Sequence, residues 1–190
     1  MRVSLVLRYS NQLEKTVKQL SHIALIALAI TATTTHAQKK VDPLPSFKKL
    51  VAACQAQVND WPRDTVRPFK DQWVHNLLEV GSVSHDVKRT DSLVSPYTAY
   101  IKVETTSYSI RRSSEDEARA TGKHDGSTHR GTDILHYAFQ DSKWKLVNGS
   151  TQREIKLPGE TSFNDPVGLV KLDADAIANN PRWSRCMPQS

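Results

Sequence analysis

SFKKLVAACQAQV, residues 46–58, carries Phe47, Leu50, Val51, Cys54 and Val58 at offsets of three, four, seven and eleven. That spacing lays one apolar stripe along a 3.6-residue period, with Lys48, Lys49, Gln55 and Asn59 on the other faces. It predicts an amphipathic helix with Cys54 on its buried side. Ser46 stands where an N-cap hydroxyl would accept from a first-turn N–H, and Asn59, Asp60, Trp61 and Pro62 stop the helix.

Downstream of this helix the period changes to two. Val83, His85 and Val87 alternate with Ser82, Ser84, Asp86 and Lys88. Residues 97–110 (YTAYIKVETTSYSI) form the clearest strand, β-branched and aromatic, with Ala99, Ile101 and Val103 facing in. Residues 132–140 (TDILHYAFQ) and 144–153 read as a hairpin about Asp141, Ser142 and Lys143, with Leu135, Tyr137, Phe139, Trp144 and Leu146 inward. Residues 61–72 hold two prolines and read as irregular, and residues 73–80 fit either a short helix or a strand. Residues 111–131 (RRSSEDEARATGKHDGSTHRG) contain no large apolar side chain, which predicts a mobile polar excursion between strands. Residues 172–179 predict a short helix ended by Pro181 in a C-terminal tail.

One helix followed by strands, with no βαβ alternation, predicts an α+β fold. The N-terminal helix packs on a curved antiparallel sheet of about four strands, one face buried and one wet. Over residues 46–155 this element order resembles the cystatin-like and NTF2-like folds. The NTF2-like resemblance implies a space between helix and sheet that can hold a ligand or a reaction. The Gln-x-Val-x-Gly loop of inhibitory cystatins has no counterpart. Its nearest string, Gln55 to Asn59, lies on the helix and lacks the glycine, so thiol-protease inhibition is not implied.

The start of the chain carries an address. Residues 1–19 are polar with Arg2, Arg8, Lys15 and Lys18 against Glu14; residues 20–30 (LSHIALIALAI) are apolar; residues 31–37 (TATTTHA) are small and polar. These are the zones of a secretory signal peptide, residues 1–37, and the apolar run is shorter than the ~20 residues a membrane span needs. No Cys follows the run, so no lipid anchor is expected, and the mature domain is residues 38–190. Cleavage after Ala37 removes four of 26 basic and one of 20 acidic residues, leaving a net charge of +3. That excess is too small for a nucleic-acid-binding module. Cys54 and Cys186, the two cysteines of the chain, are expected to pair in an oxidising compartment. Their wide separation rules out a zinc knuckle or a C-x-x-C redox pair.

Catalytic and ligand motifs are sparse. No G-x-S-x-G occurs, and adjacent strand residues such as His85 and Asp86 point to opposite faces. His85 faces the interior, where Asp133 or His136 could join it in a pocket. His124, Asp125 and His129 are weak metal candidates, because their spacing is not a helical pair and the plainer reading is a solvated loop. Tyr97, Tyr100, Lys102, Glu104 and Tyr108 read as an outward row, a mix of aromatic and charged side chains suited to protein recognition. No pattern calls for a cofactor. The expected function is that of a secreted or periplasmic non-catalytic binding protein whose partner is another protein of the envelope or the cell exterior. The alternatives are an NTF2-like enzyme or small-ligand binder with its pocket near His85, and a structural accessory of a cell-envelope assembly.

Overall fold

The computed structural model describes residues 41–188, so the expected signal peptide and the expected new start at Gln38 lie outside them. Helix α1 spans Pro43–Asn59 and begins one turn earlier than Ser46 predicts. Asp42 is the cap, its carboxylate accepting from Leu44 N at 3.0 Å, and Pro43 presets the first helical φ without wasting a donor. Ser46 sits inside the first turn, where its hydroxyl donates to Pro43 O at 2.9 Å.

The sheet has six antiparallel strands in sequential order, not four. They are β1 (Asp64–Phe69), β2 (Gln72–Arg89), β3 (Tyr97–Arg112), β4 (Ser127–Gln140), β5 (Lys143–Lys156) and β6 (Val170–Asp173). The segment expected to be irregular supplies β1. Pro68 is tolerated there because β1 is an edge strand, which can spare a ladder N–H. The β4–β5 turn is the expected hairpin, with Asp141 and Ser142 both in the left-handed region (φ 51° and 63°).

Helix α1 buries its stripe on one face of the sheet, here the inner face. Phe47, Leu50, Val51, Cys54 and Val58 join Ala99, Ile101, Val103, Leu135, Tyr137, Phe139 and Trp144 in one core. Phe47 is its centre, with ring centroids 4.7 Å from Trp144 and 5.7 Å from Tyr137. Trp144 Nε1 donates to Pro43 O at 3.0 Å and ties the start of the helix to β5.

A bulge between Val80 and Ser82 shifts the β2–β3 register, so the residues of β2 before it change face. His75 therefore pairs with Ile110 on the outer face, and both are buried. They are covered by helix α2 (Glu115–Ala120), whose Ala118 is fully buried and whose Ala118 O lies 3.0 Å from His75 Nδ1. The expected mobile excursion is thus corrected. Residues 111–112 and 127–131 belong to strands, Ser114 caps α2 through Glu117 N, and a 3-10 turn (Lys123–Asp125) leads into β4. A small side chain, not a large one, makes the contact.

The C-terminal segment folds back over the inner face. Helix α3 (Ala174–Ala178) sets Ile177 over Gly149, where a Cβ would come within 2.8 Å of Ile177 Cδ1 and of Ile134 O. Only glycine lets the helix approach so closely. A 3-10 turn (Pro181–Cys186) then brings Cys186 to Cys54, with sulfur atoms 2.07 Å apart and Cα atoms 4.3 Å apart. Gln57 clamps the same turn, donating to Pro181 O (2.8 Å) and Ser184 Oγ (2.9 Å) and accepting from Arg185 N (2.7 Å).

Tyr137 lies beneath this tail and donates to Cys186 O at 2.9 Å. Burial pushes its phenol well above the ordinary value. A raised folded-state value means the stabilisation is complete below about pH 10, the unfolded value, and is lost as pH rises beyond it. Urea midpoints should therefore fall more steeply above pH 10 in wild type than in Tyr137→Phe. At neutral pH that variant should lose only about 1 kcal/mol, the value of one hydrogen bond. Parallel alkaline slopes for the two proteins would show that Tyr137 does not control the transition.

Candidate functional site

Asp86, Tyr100, His136 and Asn148 come from four adjacent strands and stand directly opposite one another, β2 to β5, on the outer face. Period-two alternation puts all four side chains on the side away from α1, and the register aligns them into one transverse row. The row lines a cleft of about 490 Å³ together with Lys88, Thr98 and Val147. A second bulge, between His136 and Tyr137, leaves Val147 as the extra residue of β5, and its side chain is 48% exposed. An aromatic pair, an exposed aliphatic group, an amide and charges of both signs thus share one surface.

Of the expected outward row, Tyr100, Lys102, Glu104 and Tyr108 share this face. Lys102 bonds Glu104 at 2.6 Å, and Ser82 Oγ donates to the same carboxylate at 2.6 Å; Lys102 and then Ser82 hold the Glu104 carboxyl below its usual range. Tyr108 is partly covered by Lys123, whose Nζ lies 5.0 Å above its ring and 2.9 Å from Glu79. Tyr97 does not belong to the row. It shares the parity of Ala99 and Ile101, faces inward, and packs edge-on against Phe139 with centroids 6.3 Å apart.

The expected interior trio is dispersed. His85 lies on the inner face as expected, with its ring 6.2 Å from Phe47, but it is exposed at the rim of α1 beside Lys48, Gln55 and Asn59. Asp133 is buried on that face and receives both of its short bonds from Arg153 Nη2, at 2.7 and 2.9 Å. His136 is on the opposite face, in the transverse row. The sheet separates His136 from the other two, Arg153 occupies Asp133, and His85 stands at the rim, so the three do not form one acid–base centre.

The metal candidates are likewise not gathered. His124 and Asp125 are exposed in the 3-10 turn, whereas His129 belongs to β4 with Nε2 2.9 Å from Ser127 Oγ. Burial, and then the Arg111 charge, hold His129 below its ordinary value. No group of three or more His, Cys, Asp or Glu side chains able to hold a metal ion occurs among the described residues.

The tail packs the Trp183 indole over the core beside the disulfide, as the run Asn180–Arg185 suggests, and adds Trp61 and Arg182 to it. Trp61 and Trp183 meet edge-on at 5.2 Å, and the Arg182 guanidinium lies 3.8 Å over Trp61. Burial holds the Arg182 value below that of a free guanidinium, partly offset by Asp133. Trp61 Nε1 and Arg182 Nε are closed to solvent and have no hydrogen-bond partner, so the cluster holds the tail by ring and guanidinium stacking.

Sequence reasoning found Tyr100 but missed Asp86 and Asn148 as partners of His136. The signal was available in the strand alternation, but only the register across four strands places them in line. The chain matches no protein-family model, no curated protein and no solved structure. The geometry of its own residues is therefore the ground for a functional reading.

Proposed function

We propose that this protein acts outside the cytosol as a non-catalytic binding protein that recognises another protein through the outer face of its sheet. The carrying observation is the row Asp86, Tyr100, His136 and Asn148, aligned across four strands with Val147 raised beside it. Aromatic anchors ringed by mixed polar groups are the composition of a protein-recognition patch. The strands beneath are long, and β3 and β4 are paired on both sides at the row, so its centre is rigid before any partner arrives, which lowers the ordering cost of binding. The Cys54–Cys186 bond is consistent with an oxidising, extracytoplasmic compartment, and no described helix is long and apolar enough to cross a membrane. A secreted or periplasmic address, with removal of residues 1–37, extends that reading.

The test is a comparison of captured proteins from envelope extract. Wild type should retain a saturable partner that Tyr100→Glu and His136→Glu each lose by tenfold or more, while both variants melt as wild type does. Phe69→Ser, at the exposed edge strand, should capture as wild type. Equal capture by all four proteins would refute a role for the outer face.

A further inference from the structure

A separate cleft of about 290 Å³ lies where α1, the β4–β5 turn and the C-terminal tail meet. Leu50 from α1, Trp144 from β5 and Met187 from the tail supply its apolar lining, and Lys49, Lys143 and Arg185 stand around it. Among the described residues no carboxylate lines it. Of the acids near it in the chain, Asp141 is held by Lys145 at 2.6 Å, Asp42 caps α1 through Leu44 N, and Asp60 pairs with Arg185 at 2.7 Å. That leaves Lys49 and Lys143 as the cations for a ligand. Lys49 and Lys143 are both exposed and form no ion pair among the described residues.

We propose that this cleft binds a small amphiphilic carboxylate. Its apolar chain would lie against Leu50, Trp144 and Met187, and its anionic head would face Lys49 and Lys143. Size sets the class, since at the ~30 Å³ that a water molecule takes up in the liquid the space holds about ten non-hydrogen atoms. Charge sets the head group, because an apolar floor under unpaired cations rewards an anion and repels a cation. Rigidity favours a formed site over an incidental gap. The disulfide and Gln57 hold the tail wall to α1, and Trp144 is fixed by its bond to Pro43.

Three ligands with one apolar chain and different heads test it: octanoate, 1-octanol and octyltrimethylammonium. Calorimetric titration of the purified protein should show saturable binding of octanoate, at least tenfold tighter than either of the others. The indole N–H resonance of Trp144 should move with the same saturation curve. In Lys49→Glu/Lys143→Glu the order should reverse, with the ammonium compound preferred and the melting temperature unchanged. Should that double variant not fold, Lys143→Gln alone should weaken octanoate at least threefold and leave octanol unaffected. Absence of saturable octanoate binding, equal affinity for the three heads, or saturation without movement of the Trp144 resonance would each overturn the proposal. So would an acidic peptide that saturates the site while octanoate does not.

Discussion

Cys186→Ser should melt about 5–15 °C below wild type, and a reducing agent should lower the melting point of wild type while leaving the variant unmoved. The bond spans 132 residues of sequence. For a closed loop of that size the chain-entropy model gives roughly 5 kcal/mol, and measured disulfides commonly deliver about 2–4 kcal/mol. In a domain of this length each kcal/mol shifts the midpoint by about 2–4 °C, which sets the range. The local structure points the same way. Both cysteines are fully buried, and the 3-10 turn around Cys186 is too short to fold without something to hold it. Gln57 and Tyr137 also hold that turn, so the variant should remain folded at room temperature with its tail loosened. Coincident melting of variant and wild type, each with and without reductant, would remove the bond from the account of stability.

Phe47→Ala should be the most damaging single truncation in the helix. The ring is 1% exposed and lies against Trp144, Tyr137 and His85, so its loss leaves a cavity bounded by stiff aromatic groups and a pinned helix start. Phe-to-Ala changes at such sites cost about 3–5 kcal/mol, or roughly 6–20 °C here. Phe47→Leu should cost about half as much, because most of the volume is kept. Urea midpoints measured in both oxidised proteins separate this packing loss from the disulfide. Near-equal midpoints for the Ala and Leu variants would mean that the surrounding rings close the gap.

The parts of this fold that sequence revealed are those where one local pattern decides the outcome. The helix stripe from Phe47 to Val58 is buried as its spacing requires, and Cys54 lies on that stripe facing Cys186. The β4–β5 hairpin follows from two β-rich runs about a polar turn. What sequence hid is set by relations between distant segments. Pro62 and Pro68 disguise β1, whose edge position makes Pro68 harmless. Ala118 is too small to register as a core residue, yet it seals a buried patch with His75 and Ile110. The face change at the Val80–Ser82 bulge is invisible to period counting, as is the exposure of Val147 by the bulge in β5. For the same reason alternation placed Tyr100 correctly on the outer face but could not bring Asp86 and Asn148 into line with it.

The sulfur bridge also decides how the molecule would carry a mechanical load. A pull applied at Val41 and Pro188 enters through α1 and the tail and passes from one to the other across Cys54 and Cys186. The 131 residues between them, which include all six strands, are shunted out of the line of tension. Covalent bonds resist forces that would unzip a sheet. Tethered from both ends in the oxidised state, the strand ladder that supports the Tyr100 row would remain slack.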